Sequence, residues 1–455
     1  MKKRKAVLAA VAATISGIVA FSVAGCVWFD FSSRRNKQGV SSSLGYEGNA
    51  GAWLASSVGS PRADAWEMYQ DYLEKTGQTS ADFSYLDFLK AINDDSASLT
   101  SALRSSVAII TEANSSYSYG SGVIYSLQGS SGEMTAYVVT NYHVAYSSKA
   151  HAIADRFYTF LYGDTYGTTS TSLKTSYVGG SMDEDVAVLK VEIPQNREDY
   201  VLALDGHDIE VRDSDYVNVG EKVYAVGNAL GAGISVVSGS VSVEAEYTRM
   251  AKIDNEAESV DMLVMRVDAP ANHGNSGGGL FDAQGRFLGL IDGGKEVSFG
   301  NSSVPIAGFG YALPSNRVVS VAQNIIDTLE ANNSKKAYRG ILGTLEVTSS
   351  RGEFNKQTQS IDIVETVELK DVDIHSPFLS DADNVVGRAI TQIIVKDAEG
   401  KVVANKEIYR KHQVETLLYN LRKGYEVTLI FEEEAEKPDK ISVVYSDDAH
   451  FIQVN

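Results

Sequence analysis

Between Ser106 and Leu313 the chain is broken into apolar runs of four to six residues, and this brevity constrains the fold more than any other feature. Val107-Ala-Ile-Ile110, Gly122-Val-Ile-Tyr125, Thr135-Ala-Tyr-Val-Val-Thr140 and Val186-Ala-Val-Leu-Lys-Val191 open the series. Lys222-Val-Tyr-Ala-Val226, Ile234-Ser-Val-Val237, Met262-Leu-Val-Met-Arg-Val267, Phe287-Leu-Gly-Leu-Ile291 and Phe309-Gly-Tyr-Ala-Leu313 continue it. The runs favour β-branched and aromatic residues and are separated by Ser- and Gly-rich turns, which marks them as strands. Short strands need many partners, so the region is predicted to be mainly β, a sandwich or a pair of barrels. A helical pattern from Val318 to Leu329 closes it. The single cysteine, Cys26, precedes all of this, so no disulfide forms within the chain and the cores alone must hold the fold.

The N-terminus follows different rules. Met1-Lys-Lys-Arg-Lys5 is basic, and Ala6–Val23 is an uncharged, mostly apolar run of 18 residues. That is a membrane-targeting segment, long for a secretory signal and marginal for a membrane span. Val23-Ala24-Gly25-Cys26 at its end resembles the lipobox of bacterial lipoproteins, which implies cleavage before Cys26 and lipidation of that residue. The residues also admit an uncleaved anchor or a secreted form. Ser32–Ala50 is rich in Ser, Gly, Asn and charge and reads as a flexible tether. From Gly51 to Leu103 the pattern is helical and amphipathic, clearest at 65–73 and 85–92. Trp53-Leu54 and Phe88-Leu89 have loosely similar surroundings, which fits either a two-unit helical module or helices packed on the next domain.

At the other end, Ile341-Leu342, Ile361–Val367, Ala389–Val395 and Tyr425–Phe431 are strand-like, with a helix over 413–421. A small mixed α+β domain fits these. Glu432-Glu-Glu-Ala-Glu436 reads as a solvated turn. The net charge of −19 argues against a nucleic-acid surface and suits a soluble extracellular one. Seven histidines and one cysteine leave little room for a zinc site, and nothing suggests a cofactor.

One stretch points to chemistry. In Asp268-Ala-Pro-Ala-Asn-His273-Gly274-Asn-Ser276-Gly-Gly-Gly279-Leu280 a serine sits among glycines between two strands. Glycines crowd a serine where the backbone turns sharply and approaches a ligand closely. A nucleophilic serine needs that shape and also a base, because its hydroxyl is too weak an acid to react unaided. His143, in Thr140-Asn-Tyr-His-Val144 at the end of a core strand, is well fixed for this role. His273 lies only three residues before the serine, a turn too short to aim both side chains at each other. His151, His207, His375, His412 and His450 have polar surroundings and read as surface residues. For the acid that orients the base, Asp185 leads directly into the strand from Val186, while Asp183 and Glu184 compete by proximity. The order His143, Asp185, Ser276, with spacings of 42 and 91, is the chymotrypsin-type order.

At this point the chain resembles the HtrA (Deg) family of trypsin-like serine proteases. The matching pieces are Gly120-Ser-Gly-Val123, Thr140–Val144, Asp185–Lys190, Val219–Asn228, Ser238–Val241, Asp268–Gly278 and Gly308–Asn316, in the family's order. The resemblance implies two six-stranded β-barrels, with His143 as general base, Asp185 as its orienter and Ser276 as nucleophile in the cleft between them. It implies an oxyanion hole from the N–H groups of Gly274 and Ser276. Tyr338-Arg-Gly-Ile-Leu-Gly343, Ser376-Pro-Phe-Leu and Val385–Ile390 resemble pieces of the family's PDZ domain, which implies binding of C-terminal peptides. The implied organisation is a signal peptide over 1–25, a tether over 26–50, a helical module over 51–104, a protease domain over 105–330 and a PDZ-like domain over 338–455. The implied activity is endoproteolysis of unfolded or misfolded proteins by a trimer-based homo-oligomer, lipid-anchored at the outer face of a bacterial membrane. A reading from another class is a catalytically weak chaperone or surface binding protein that keeps the barrels as a scaffold.

The chain also departs from the family. His273 stands where proline is usual and Gly279 where proline or a small residue is usual, which predicts a looser oxyanion loop. The stretch 147–180 is long and rich in Tyr and Thr, and 126–133 is short. Asp292 falls near the end of the strand after the serine, in a region that shapes the primary pocket.

Overall fold

The strand-like runs read as continuously apolar, without alternation, because both faces of the sheet are covered. In the computed structural model, Val107 and Ile109 point into a barrel interior while Ala108 and Ile110 face a second core outside it. Ala136 and Val138 point inward in the same way, and Tyr137 and Val139 outward. The structure describes residues 69–454 apart from 71, 75, 86–87, 89–95, 167–170, 203–208, 256, 300–301, 357–359 and 435. The signal peptide, Cys26, the tether and Trp53-Leu54 lie outside the described residues.

Six strands close the first barrel: β1 (Ser106–Ala113), β2 (Ser116–Gln128), β3 (Thr135–Thr140), β4 (Arg156–Leu161), β5 (Leu173–Ser181) and β6 (Val186–Glu192), in the order β1-β2-β3-β6-β5-β4. Six more close the second: β7 (Lys222–Gly227), β8 (Ser235–Ala251), β9 (Ser259–Val267), β10 (Gly279–Asp282), β11 (Phe287–Phe299) and β12 (Ser302–Pro314), in the order β8-β9-β12-β11-β10-β7. All pairings are antiparallel, and closure leaves no free sheet edge in either barrel. The expectation of a mainly β, double-barrel fold therefore holds. The core between the barrels joins Val123, Val188, Val226, Phe281 and Leu290, and extends beneath helix α2 (Ser315–Asn332) through Val318, Val321 and Ile325. A shorter helix, α1 (Ser96–Ser105), leads into β1. N-terminal to it, the rings of Tyr69, Tyr85 and Phe88 cluster 5.3–6.4 Å apart.

The stretch 147–180 gave no strand from its sequence, yet it contributes β4 and β5. Its packed positions include Thr159, which faces the barrel interior, and Gly179, which faces Ile325 of α2, polar or small residues that interrupt the apolar pattern. Thr159 is buried, and its hydroxyl accepts from Thr175 Oγ1 at 2.9 Å. Gly279, predicted to loosen the loop after the serine, is instead the first residue of β10, paired with Val226 and Leu290.

After α2 the chain builds a smaller α+β unit. Strand β13 (Ala337–Gly340) pairs with the last strand, β20 (Phe451–Val454). The hairpin β14 (Leu345–Asn355)/β15 (Ser360–Leu369) precedes a four-stranded sheet. That sheet has β16 (Ile390–Lys396) and β18 (Glu426–Phe431) at its centre and β17 (Val402–Glu407) and β19 (Lys440–Val444) at its edges. Helix α3 (Lys411–Leu417) covers it, with Val414 and Leu417 over Ile393, Val395, Val427 and Leu429. Ile341 and Leu342, expected as a strand, follow β13 as a loop. Leu342 is buried in this core, which explains its apolar signal.

Residues from Ser60 onward form one unit, and the α+β part packs against the barrels through a polar seam. Arg317 of α2, only 6% exposed, spans it. Its guanidinium reaches Glu184 at 2.9 and 3.0 Å and Thr416 Oγ1 at 2.9 Å. Tyr419 Oη also donates to Glu184, at 2.7 Å. Elsewhere on the seam Asp215 accepts from Lys406 and lies 3.4 Å from His412 Nε2. His412, read from sequence as a surface residue, is thus buried against a carboxylate. Among the described residues no helix is long and apolar enough to cross a membrane.

Candidate active site

Three loops meet in the cleft between the barrels. The first follows β3, whose Thr140 pairs with Ala187 of β6. The chain then makes one helical turn over Tyr142–Ala145 and presents the half-buried ring of His143. The second precedes β6. Asp185 there has φ of 48°, a left-handed conformation costly for a residue other than glycine. The surroundings hold it: its carbonyl accepts from Asn141 Nδ2 at 3.1 Å, and its carboxylate is almost wholly buried. One carboxylate oxygen accepts from the His143 backbone N–H at 2.8 Å, and the other lies 2.7 Å from His143 Nδ1. A carboxylate gripped at both oxygens fixes the imidazole plane and holds the Nδ1–H tautomer, leaving Nε2 to act as a base. Glu184 turns the opposite way, to Arg317 and Tyr419.

The third loop carries Ser276. Gly274 and Gly277 have φ of 93° and 80°, and a side chain on either would collide with Asn228 O at 2.3 Å or with Thr140 Oγ1 at 2.2 Å. The glycines are therefore demanded both by backbone shape and by the tight approach of the loop after β7 at Gly274 and of β2 and β3 at Gly277. Three carbonyls of this loop are tied down. His273 O accepts from Leu230 N–H at 2.7 Å, Gly274 O from Ser121 Oγ at 2.7 Å and Ser276 O from Ser121 N–H at 2.9 Å. The N–H groups of Gly274 and Ser276 bond to no described residue. The loop is also pinned to β11 by Gly277 N–H to Ile291 O at 2.8 Å. His273 is exposed, and its carbonyl, rather than a proline ring, supplies the restraint at that position.

Ser121 is a residue whose role its sequence did not disclose. Besides clamping the serine loop, its hydroxyl accepts from Asn228 N–H at 2.7 Å, and its carbonyl accepts from Thr140 Oγ1 at 2.7 Å. One fully buried side chain from the first barrel thus sets two loops of the second. Ser121→Ala would orphan the Gly274 carbonyl and the Asn228 N–H, at about 1–3 kcal/mol for each buried group left unpaired. A lower denaturant midpoint with an unchanged slope is expected; an unchanged midpoint would contradict the clamp.

Asp292 was also missed, beyond the expectation that its region shapes a pocket. Its carbonyl accepts from Ser276 Oγ at 3.1 Å, and its Oδ1 lies 3.8 Å from His143 Nδ1. Among the described residues Ser276 Oγ makes its hydrogen bond to this carbonyl and not to His143. Burial disfavours charging the His143 ring, but the Asp185 charge, its hydrogen bond and the Asp292 charge outweigh burial and push the ring up to about 9.

Residues 120–290 match the trypsin-like peptidase domain family, a span that contains His143, Asp185 and Ser276. The serine protease Do-like HtrA of Lactococcus lactis subsp. lactis (strain IL1403) is 29% identical over 286 residues, 63% of this chain and 59% of that protein. A probable periplasmic serine endoprotease DegP-like of Brucella suis biovar 1 (strain 1330) is 31% identical over 49% of this chain and 35% of its own length. The chain thus spans about three fifths or less of the length of these curated relatives. A solved structure of the HtrA-type protease AlgW with tripeptide is 20% identical, with a TM-score of 0.44, over 77% of this chain and 96% of that one. The chain therefore carries a trypsin-like peptidase domain over residues 120–290 and is similar to HtrA-type serine proteases over 49–63% of its length.

Proposed function

We propose that this protein is a serine endopeptidase that cleaves unfolded or misfolded proteins. The observation that carries the reading is the buried Asp185 carboxylate gripping His143 at 2.7 Å in the cleft that also holds Ser276. In this reading Ser276 Oγ leaves the Asp292 carbonyl and turns to His143 Nε2 when substrate binds, since catalytic hydrogen bonds often tighten only in the complex. His143 takes the hydroxyl proton as Oγ attacks the peptide carbonyl. The N–H groups of Gly274 and Ser276, which bond to no described residue, receive the oxyanion. His143 then gives the proton to the leaving amine, and water releases the acyl-enzyme by the same route.

Residues 105–330 are the protease domain, and 338–455 are a PDZ-like domain that takes peptide C-termini as an added strand. Residues 1–25 direct export, Cys26 carries the lipid anchor, 26–50 form a tether and 51–104 a helical module. The protein works at the outer face of the membrane as a trimer-based homo-oligomer. The catalytically weak scaffold remains a second reading because Ser276 Oγ bonds to the Asp292 carbonyl rather than to His143.

The purified full chain is expected to degrade casein, which is natively unfolded, and to spare a compact folded protein at equal concentration. A peptide matched to the PDZ-like unit is expected to change the casein rate. Casein left intact with and without that peptide would favour the scaffold.

A further inference from the structure

The carboxyl group of Asp292 faces the His143–Asp185 pair from the second barrel. Strand β11 shifts register between Ile291 and Gly293, and Asp292 is the residue at the shift. A bulge of this kind re-aims a side chain that simple alternation would send elsewhere. Donor atoms of His143, Asp185 and Asp292 all lie within 4.8 Å of one another. The two carboxyl side chains are only 3% and 6% exposed. No N–H or O–H of the described residues reaches Asp292 Oδ2. A buried carboxylate oxygen without a donor is costly, and two carboxylates this close in a dry site cannot both ionise freely. One proton on Asp292 removes both problems, because it cancels a charge and turns an orphaned acceptor into a donor.

We propose that Asp292 is a positioning residue of the triad: its carboxyl group stays protonated in the working enzyme and donates a hydrogen bond to Asp185. Asp185 is then the single negative charge facing the imidazole, and its carboxylate is held from a third side. The inference rests on the peptidase reading above. Asp185 and His143 are the titratable groups that face Asp292. Burial first, and then the Asp185 charge, raise the Asp292 carboxyl well above the usual carboxylate range, with His143 opposing. Neutral Asp292 also withdraws one of the charges that push His143 toward about 9, and so leaves the ring readier to accept the serine proton.

Loss of the Asp292 proton at alkaline pH would deprive Asp185 of its donor and set a like charge beside it. The serine's reactivity should therefore fall on the alkaline side. The test is the second-order rate constant for labelling Ser276 with a fluorophosphonate, measured from about pH 5 to about pH 10. Asp292→Asn keeps a neutral donor at every pH, so its alkaline limb is expected to disappear or move up by at least about one pH unit while the acid limb remains. Asp292→Ala, which offers no donor, is expected to label about tenfold to a hundredfold more slowly at neutral pH. If Asp292→Asn does not fold by circular dichroism, Asp292→Ser supplies the same comparison with a smaller neutral donor. An alkaline limb in the neutral-donor variant identical to wild type overturns the role of Asp292, as does an Asp292→Ala rate equal to wild type. Wild type that does not label at all overturns the peptidase reading instead.

Discussion

Replacing Ser276 with alanine is expected to lower peptide-bond hydrolysis about a million-fold, the scale on which a triad loses its nucleophile. Little else should change. Among the described residues the hydroxyl makes one hydrogen bond, to the Asp292 carbonyl at 3.1 Å, in a part-buried place. Its loss is worth about 1 kcal/mol, and the loop stays clamped by Ser121 and β11 through backbone groups that the substitution leaves in place. A variant inactive on casein whose unfolding midpoint lies close to wild type is therefore the predicted outcome. Residual cleavage within tenfold of wild type would place the nucleophile elsewhere.

Asp185→Asn is expected to cost about ten-thousand-fold in kcat, even though the residue never touches substrate. An amide in its place presents an N–H to one of the two positions now occupied by hydrogen-bond donors, the His143 backbone N–H and Nδ1. The ring is then pushed toward the wrong tautomer and cannot accept the serine proton at Nε2. The pH dependence follows with a definite sign. Burial lowers the affinity of the His143 ring for a proton, and the Asp185 charge and hydrogen bond are the largest effects that reverse this. Removing that charge lets the ring titrate lower. Since the base must be deprotonated to work, wild-type activity should rise with pH along a limb above the ring's ordinary 6.5. In Asp185→Asn the small residual activity should rise along a limb at lower pH. A limb that stays in place would mean that Asp185 does not govern the ring.

How far the sequence discloses this site depends on what each residue needs from its neighbours. His143 and Asp185 are legible because each adjoins a strand buried on both faces, and such strands announce themselves as apolar runs. Ser276 is legible because its loop needs glycine at 274 and 277, where any side chain would strike neighbouring backbone or the Thr140 side chain. Asp292 is not legible, since its direction depends on a register shift in β11 that no local pattern encodes. Ser121 stands in a recognisable Gly-Ser-Gly, but its partners are loops more than a hundred residues away.

The strands divide along the same line. The central strands of both barrels appear as expected, whereas β5 hides behind Thr, Ser, Gly and Tyr and carries its own register shift between Tyr177 and Gly179. Strand β14 leaves no signal because it is exposed along nearly its whole length, held by pairing with β15 rather than by burial.

The most direct measurement is covalent. Wild type, Ser276→Ala and His143→Ala are incubated with a fluorophosphonate, weighed intact by mass spectrometry and mapped by peptide. One adduct is predicted on wild type, on the peptide bearing Ser276, with none on either variant. An unlabelled wild type, or an adduct on any other residue, would contradict the assignment of Ser276 as a nucleophile activated by His143.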